Sequence, residues 1–130
     1  MNEIGKRVTG LQHIGLPTND MAATVAFYQS LGFTLAHQAD NDGEKVCFLQ
    51  LAGVCIEAYE NGMAVGRAGA IDHIALDVDD IQAAWEAVRA AGYQPRETAI
   101  RTLPFWERGV SFFNIQGPNG ETVEFGQILS

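Results

Sequence analysis

The sequence predicts an α+β fold built from two copies of a βαβββ module. The first observation is an internal repeat, in which Leu11-Gln12-His13-Ile14-Gly15-Leu16 returns 60 positions later as Ile71-Asp72-His73-Ile74-Ala75-Leu76. The second is a helical pattern after each of these segments, and the third is a set of three strand-like segments after each helix. Repetition over this distance indicates a duplicated structural unit.

The first module is predicted to begin with a strand over residues 8–16, followed by a helix that Asn19 or Asp20 can cap. Met21, Val25 and Tyr28 recur at helical spacing and form the apolar face of this helix. Three strands are expected to follow at residues 33–39, 45–51 and 54–59. Turns at residues 41–43 and 52–53 separate these strands.

The second module repeats this order. Ile81, Trp85 and Val88 form the apolar face of its helix, and strands are predicted over residues 93–101, 110–115 and 122–129. Gly32 and Gly92 stand where each helix would end in a residue with positive φ. Residues 61–69 contain three glycines and are predicted to link modules of residues 8–60 and 70–128 within one domain, 1–130.

The two modules differ in length at one place. The stretch from His to Glu is seven positions longer in the second module, and the extra residues lie mainly within residues 98–109. A loop added to one half of a symmetric scaffold often forms a lid or a pocket wall. Because Phe105 and Trp106 in this loop would be costly to leave in water, we expect them to shape or cover a pocket.

Composition and charge exclude several classes of partner. The chain has 130 residues, a net charge of −8 and a pI of about 4.6, which argues against nucleic acid and anionic membranes because both require basic patches. The sequence shows neither a signal-peptide pattern nor an apolar run of about 20 residues. Cys47 and Cys55 are expected to be reduced and buried. These features predict a cytoplasmic protein.

Each copy of the repeat supplies one histidine and one glutamate, namely His13 with Glu57 and His73 with Glu124. A lone histidine in a strand is more often structural than a ligand. The glutamates lie in apolar strands without an adjoining lysine or arginine, so they need either a metal or a polar sheet face. The duplication favours a metal, because pseudo-twofold symmetry would bring both pairs to one point. Two imidazoles and two carboxylates with room for water suit a catalytic site for Zn, Ni, Co or Fe.

The chain resembles the vicinal oxygen chelate superfamily, and within it the glyoxalase I branch. The resemblance implies the glyoxalase/bleomycin resistance fold, in which paired βαβββ modules close a half-barrel of strands around one divalent metal. It matches His13, Glu57, His73 and Glu124 to the four metal ligands of glyoxalase I. The matching segments cover nearly the whole chain and are residues 11–15, 27–28, 31–33, 54–57, 71–76 and 117–120 leading to Glu124.

The resemblance implies a metal-dependent lyase similar to lactoylglutathione lyase, an enzyme of methylglyoxal detoxification. It would convert the hemithioacetal of methylglyoxal and a thiol into an S-lactoyl thioester through an enediolate, with Glu124 as the base and Glu57 facing it across the metal. Nickel or cobalt is favoured over zinc, with iron and manganese as further alternatives. The alternatives in function are an epimerase or isomerase of a small α-hydroxycarbonyl, sugar-like or acyl-CoA substrate, a dioxygenase, and a non-catalytic small-molecule binding protein.

The resemblance also implies substrate contacts. Asn61 follows the first glutamate by four positions, like the asparagine that helps to hold glutathione in glyoxalase I, and Arg101 and Arg108 lie near the expected basic residues of the second half. Pro17 stands where an arginine usually follows the first histidine, so the thiol stays open. The family forms its metal site within one chain or across a dimer interface. Both remain open here, and a homodimer is expected.

Overall fold

The computed structural model describes residues 5–7, 9–69 and 71–130 and forms two four-stranded mixed sheets, each with one helix. Val8 and Ala70, where the two modules were predicted to begin, lie outside the described residues. A 3-10 turn, Gly5–Arg7, precedes the first sheet. The first module contains β1 (Ile14–Thr18), α1 (Met21–Ser30), β2 (Thr34–Asn41), β3 (Glu44–Leu51) and β4 (Val54–Glu60). The second contains β5 (His73–Asp77), α2 (Ile81–Ala90), β6 (Arg101–Leu103), β7 (Val110–Gln116) and β8 (Thr122–Ile128).

Both modules have the same topology. The strand order is β1-β4-β3-β2 in one sheet and β5-β8-β7-β6 in the other, so the first strand of each module lies at a sheet edge. That strand runs parallel to the last strand of its module, and the remaining pairs are antiparallel. The predicted α+β class and the βαβββ order of both halves are confirmed.

The helix boundaries follow from capping. Asp20 and Asp80 have extended backbones, and their side chains accept the backbone N–H of the residue three positions later at 3.0 and 3.1 Å. Each therefore satisfies one of the free donors of the first turn. Gly32 and Gly92 follow the two helices with φ values of 104° and 95°, which glycine adopts without strain.

Two predicted strands differ from the observed ones. β1 begins at Ile14, where its pairing with Ile56 of β4 begins, so residues 9–13 of the strand predicted over residues 8–16 lie outside it. The strand predicted over residues 93–101 is wrong except at its last residue, Arg101, where β6 begins. Pro95 has no N–H for a ladder, and the next two residues bond to Asn114 of β7 instead.

One hydrophobic core joins the two modules. Its aromatic part contains Phe27, Tyr28 and Phe33 from the first module and Phe113 and Phe125 from the second. Direct contacts also cross between the modules, since the rings of Phe27 and Tyr93 lie edge to face at 5.2 Å. The aliphatic part of the buried cluster contains Leu49, Ile56, Leu76, Ile81, Val88, Ile115 and Val123.

A buried polar contact fixes α1 against the turn before β8. Tyr28 donates its hydroxyl to Glu121 Oε2 at 2.9 Å, and Asn119 Nδ2 donates to Thr24 Oγ1 at 2.8 Å. Burial, followed by the negative charge of Glu121, raises the pKa of Tyr28 above its usual range, so the phenol stays a donor. Gly120 of this turn has φ 78°, and a Cβ there would overlap the backbone of Gly66 in the linker.

Neither helix in the described part of the chain is long and apolar enough to cross a membrane, since each has ten residues. Both cysteines are free thiols. Cys47 is buried and Cys55 is half-buried, in partial agreement with the expectation of buried thiols. Burial raises the pKa of Cys47, so its thiol is protonated near neutral pH.

Candidate metal centre

The same strand pairing places each histidine beside its glutamate. Gly15 of β1 lies opposite Glu57 of β4, and Ala75 of β5 lies opposite Glu124 of β8. Each histidine is two positions before the small residue, and side chains two positions apart point to the same side of the chain. The repeated sequence therefore becomes a repeated pair, which we call the first pair (His13 with Glu57) and the second pair (His73 with Glu124).

The two pairs have similar geometry. His13 Nε2 lies 3.6 Å from Glu57 Oε1, and His73 Nε2 lies 3.3 Å from Glu124 Oε1. The four side chains are between 21% and 43% exposed, so each pair can be reached by a small molecule. Imidazole nitrogen and carboxylate oxygen are donors that suit Zn, Ni, Co and Fe.

The opposite ring nitrogen of each histidine has its own polar partner. His13 Nδ1 is 3.0 Å from Gln12 Oε1, and His73 Nδ1 is 2.9 Å from Asp72 Oδ2. A proton on Nδ1 would bond to these oxygens and leave the lone pair of Nε2 directed toward the glutamate. Ligand histidines in metal sites are commonly oriented in this way.

Each chain alone carries the two pairs separately. Among residues 5–7, 9–69 and 71–130, no three His, Cys, Asp or Glu side chains lie close enough together to hold one metal ion. Each pair offers one nitrogen and one oxygen, whereas a catalytic metal site usually has three protein ligands and an open position. Each pair alone therefore supplies fewer donors than such a site needs.

The second pair opens into a cavity of about 450 Å³ with both polar and apolar walls. Asn114, which lies opposite Glu124 on β7, and Arg96, which precedes β6, form the polar wall. Arg96 Nη1 donates to Thr122 Oγ1 at 2.6 Å. The apolar wall contains Leu103, Phe105, Val110 and Phe112.

The first pair has aromatic neighbours. Phe48 lies opposite Glu57 on β3, and its ring meets His13 edge to face with the centroids 6.2 Å apart. Tyr59 lies two positions beyond Glu57, and its ring is near Gly15. A separate, largely apolar cavity of about 470 Å³ lies between the modules and is bordered by both His13 and His73.

The predicted substrate residues are dispersed in the single chain. Phe105 lines the cavity of the second pair, whereas Trp106 and Arg108 line a shallower groove. Asn61 is exposed and accepts the N–H of Met63 at 3.0 Å, and Arg101 is exposed on β6. Phe105 is 57% and Trp106 is 70% exposed in this chain, so their role in covering a pocket stays a prediction.

Sequence reasoning missed three polar neighbours of the second pair: Asp72, Arg96 and Asn114. Asp72 could have been noticed, because it directly precedes His73 at the place where the first copy has Gln12. The pairing of Asn114 with Glu124 could have been predicted from the two strands, β7 and β8, and the tight turn between them. The position of Arg96 beside the second pair could not be predicted, because the segment that contains it was predicted to be a strand.

Comparison with known proteins connects this geometry to a family. Residues 10–125 match the model of the Glyoxalase/Bleomycin resistance protein/Dioxygenase superfamily. A lactoylglutathione lyase of Haemophilus influenzae is 35% identical over 128 residues, covering 87% of this chain and 88% of that protein.

Solved structures share the fold at lower identity. A glyoxalase family protein from Enterococcus faecalis has a TM-score of 0.76 at 18% identity, covering 91% of this chain and 97% of the other. TnmS3, an antibiotic binding protein from Streptomyces sp. CB03234, has a TM-score of 0.74 at 17% identity, covering 95% and 98%. The family model spans both His–Glu pairs. The chain therefore belongs to the Glyoxalase/Bleomycin resistance protein/Dioxygenase superfamily.

Proposed function

We propose that this chain is a metal-dependent lyase of the glyoxalase I type, with each active site assembled from two copies of the chain. The observation that carries the proposal is the pair of equivalent His–Glu contacts, at 3.6 and 3.3 Å, which remain separate within one chain. A twofold axis would bring the first pair of one copy to the second pair of its partner. Such a dimer would contain two identical sites, each with all four donors.

The exposed apolar surface beside the pairs supports a second copy of this chain as the partner. Leu11 and Ile71, each two positions before a histidine of the repeat, are 75% and 85% exposed. β1 and β5, which follow them, are edge strands of their sheets. Exposed apolar side chains beside unpaired strand edges are costly in water and are typical of an interface. An isologous contact would cover the Leu11 side of one copy with the Ile71 side of the other.

The donors of the two pairs fit a divalent metal. His13, Glu57, His73 and Glu124 would hold it, and nickel or cobalt is the proposed ion, with zinc as the main alternative. When bound, the ion would polarise a carbonyl oxygen of the substrate and stabilise the negative charge that develops there. Asp72 and Gln12 would fix the tautomer of the two imidazoles.

The reaction requires a base that takes a proton from the carbon next to the carbonyl. We assign this role to Glu124, whose carboxylate reaches a cavity large enough for a small molecule. The same carboxylate would return the proton to the neighbouring carbon, completing the isomerisation. Glu57, in an aromatic setting with Phe48, would face it from the other copy.

The proposed substrate is the hemithioacetal of methylglyoxal and a thiol, and the product is an S-lactoyl thioester. The name of the Haemophilus influenzae relative supports this assignment. The thiol remains open, because Pro17 replaces an expected arginine and Asn61 lies outside the cavity of the second pair. We place the reaction in the cytoplasm, where Cys47 and Cys55 would stay reduced.

Mixing two inactive variants tests the shared site directly. One variant carries His13→Gln with Glu57→Gln, and the other carries His73→Gln with Glu124→Gln. In a dimer of one copy of each, one site would regain all four donors and the other would have none. Turnover of the methylglyoxal–glutathione hemithioacetal should therefore return on mixing to about a quarter of the wild-type rate, as random pairing requires.

The mixing experiment tests whether the site is shared, and metal analysis of the wild-type chain tests whether a metal is bound at all. If both variants are folded and inactive and stay inactive after subunit exchange, the site is not shared between copies. If the wild-type chain binds no divalent metal and is insensitive to chelators, the alternative of a small-molecule binding protein gains support. The largely apolar cavity of about 470 Å³ between the modules is the feature that would serve such a protein.

If the wild-type chain binds a divalent metal but does not turn over the hemithioacetal, the epimerase or isomerase alternative becomes the better assignment. A substrate panel of α-hydroxycarbonyl, sugar-like and acyl-CoA compounds would then identify the reaction. The same two His–Glu pairs would serve that chemistry, since it also moves a proton next to a carbonyl.

A further inference from the structure

We propose that Arg96 is the residue that selects the substrate, by binding a carboxylate on a small carbonyl compound whose reacting end lies at the second pair. This inference rests on the proposed function for the position of the reacting end. It is based on the fixed position of the Arg96 backbone, on the unused donors of its guanidinium group, and on the distance along β8 between Glu124 and Thr122, the residue to which the guanidinium donates.

The backbone around Arg96 is fixed to the sheet beneath the second pair. The Arg96 N–H donates to the Asn114 carbonyl oxygen at 2.8 Å. The carboxylate of Glu97 accepts the Asn114 N–H at 2.7 Å and its side-chain Nδ2 at 2.8 Å. Asn114 is the cross-strand partner of Glu124, so three hydrogen bonds hold this segment beside the candidate base. A side chain on so well-held a backbone can bind a ligand with little loss of entropy.

The guanidinium group of Arg96 enters the cavity with most of its donors unused. One nitrogen donates to Thr122 Oγ1 at 2.6 Å, and Thr122 is only 4% exposed. Guanidinium has five N–H donors in a planar fork that matches a carboxylate. Among the described residues, no carboxylate oxygen lies within 4.0 Å of Arg96, although the chain carries a net charge of −8.

The nearby carboxylates already have other partners. Glu97 accepts two hydrogen bonds from Asn114, Asp72 is bonded to His73 Nδ1, and Glu124 is one of the four proposed metal donors. Arg96 is the one arginine or lysine among the residues that line the cavity of the second pair. A ligand with a carboxylate would therefore complete the guanidinium without displacing an existing ion pair, whereas a neutral ligand would leave its donors to water.

The spacing along β8 limits the size of this ligand. Thr122, which positions the guanidinium, and Glu124 are two residues apart on one face, or about 7 Å along the strand. A short chain can span this distance, with its carbonyl at the second pair and its carboxylate at Arg96. Phe105 and Phe112 would then contact the carbon atoms between the two ends. We therefore infer a short oxo or hydroxy acid, or a thiol adduct that ends in a carboxylate.

Binding of 4-oxopentanoate and of its primary amide to the metal-free chain tests this inference apart from catalysis. The two probes differ mainly in charge, and ¹H–¹⁵N NMR can follow the Arg96 side-chain Nε–H and the Thr122 amide. We expect saturable shifts with the acid and at least tenfold weaker binding of the amide. Arg96→Gln should remove this preference, and Arg96→Lys should keep part of it. Arg89→Gln, at an exposed position on α2, is the control for loss of charge and should keep it all.

The result separates this inference from the proposed function. If acid and amide bind equally, or if Arg89→Gln removes the preference as fully as Arg96→Gln, Arg96 does not select a carboxylate. The lyase assignment would be unaffected by that outcome. If the preference depends on Arg96 but the metal-loaded chain turns over no hemithioacetal, the carboxylate site stands and the lyase assignment fails. Thermal melts of each variant establish that it is folded.

Discussion

The two His–Glu pairs have the same strand geometry and different surroundings. Around the first pair, Glu57 lies between Gly15 and the ring of Phe48, and Gln12 is the partner of the histidine. Around the second, Glu124 lies between Ala75 and Asn114. Duplication has thus preserved the donors while their neighbours diverged.

This difference supports distinct roles for the two pairs in the proposed reaction. The second pair has a charged oxygen, Asp72 Oδ2, behind its histidine and a guanidinium, Arg96, within its cavity. The first pair offers aromatic contact and a neutral amide in the corresponding places. Polar groups position a substrate and handle charge, whereas an aromatic wall excludes water. We therefore propose that proton transfer and substrate binding occur at the second pair.

Replacing either glutamate of the two pairs by glutamine has the largest expected effect on turnover. Glu124→Gln removes the proposed base together with one donor, so turnover of the hemithioacetal should fall by about 10³-fold or more. Glu57→Gln should cause a smaller loss, because it removes a donor and leaves the base in place. Steady-state kinetics, with thermal melts to verify the fold, measure both. A larger loss in Glu57→Gln would assign the base to the first pair and reverse the comparison.

Part of the structure of the two pairs could be predicted from the sequence. The repeat at 60 positions and the apolar periodicity located both helices, because periodicity and capping residues are local signals. They placed His13 inside a strand, whereas β1 begins one residue after it. The repeat also indicated which glutamates to consider, since an isolated carboxylate in an apolar strand needs a partner. Local signals could not show how the pairs lie relative to each other, because that depends on how the modules pack.

The polar neighbours of the second pair depended on non-local structure as well. Arg96 reaches the cavity only because Pro95 interrupts the predicted strand and Glu97 binds Asn114, a contact between residues 17 positions apart. The position of Trp106 depended on non-local structure too. It was predicted to shape or cover a pocket, and it lies 70% exposed in a turn with φ 64°, where it lines a groove separate from the cavity of the second pair.

The second prediction concerns the oxygen that is hydrogen-bonded to Nδ1 of each histidine. In the proposed dimer, Asp72→Asn should weaken metal binding by about 10–100-fold, because a charged acceptor on Nδ1 raises the basicity of a ligand histidine. Gln12→Ala is the matched change at the first pair, and its effect should be smaller since a neutral amide polarises imidazole less. Competition with a chromogenic chelator measures both affinities. Equal losses would mean that the difference between Asp72 and Gln12 has no consequence for the metal.

The smallest expected effect concerns the contact between the modules. Tyr28 has Val88 as its counterpart 60 positions later, so its hydrogen bond to Glu121 has no equivalent in the second copy. Tyr28→Phe should lower the free energy of unfolding by about 1–2 kcal/mol at neutral pH, since a hydrogen bond to a charged group is lost. Tyr59→Phe, at a hydroxyl without a hydrogen-bond partner among the described residues, is the control and should change it little.

The pH dependence of this effect distinguishes the hydrogen bond from general packing. Because the native pKa of Tyr28 is raised, its contribution to stability is complete below the pKa of an unfolded tyrosine, about 10, and is lost as the pH rises above that value. The difference between wild type and Tyr28→Phe should therefore be constant from pH 7 to 9 and shrink above about pH 10. Denaturant unfolding across this range measures it. A difference that persists unchanged at pH 11 would mean that the phenol is not held in its neutral form by burial and by Glu121.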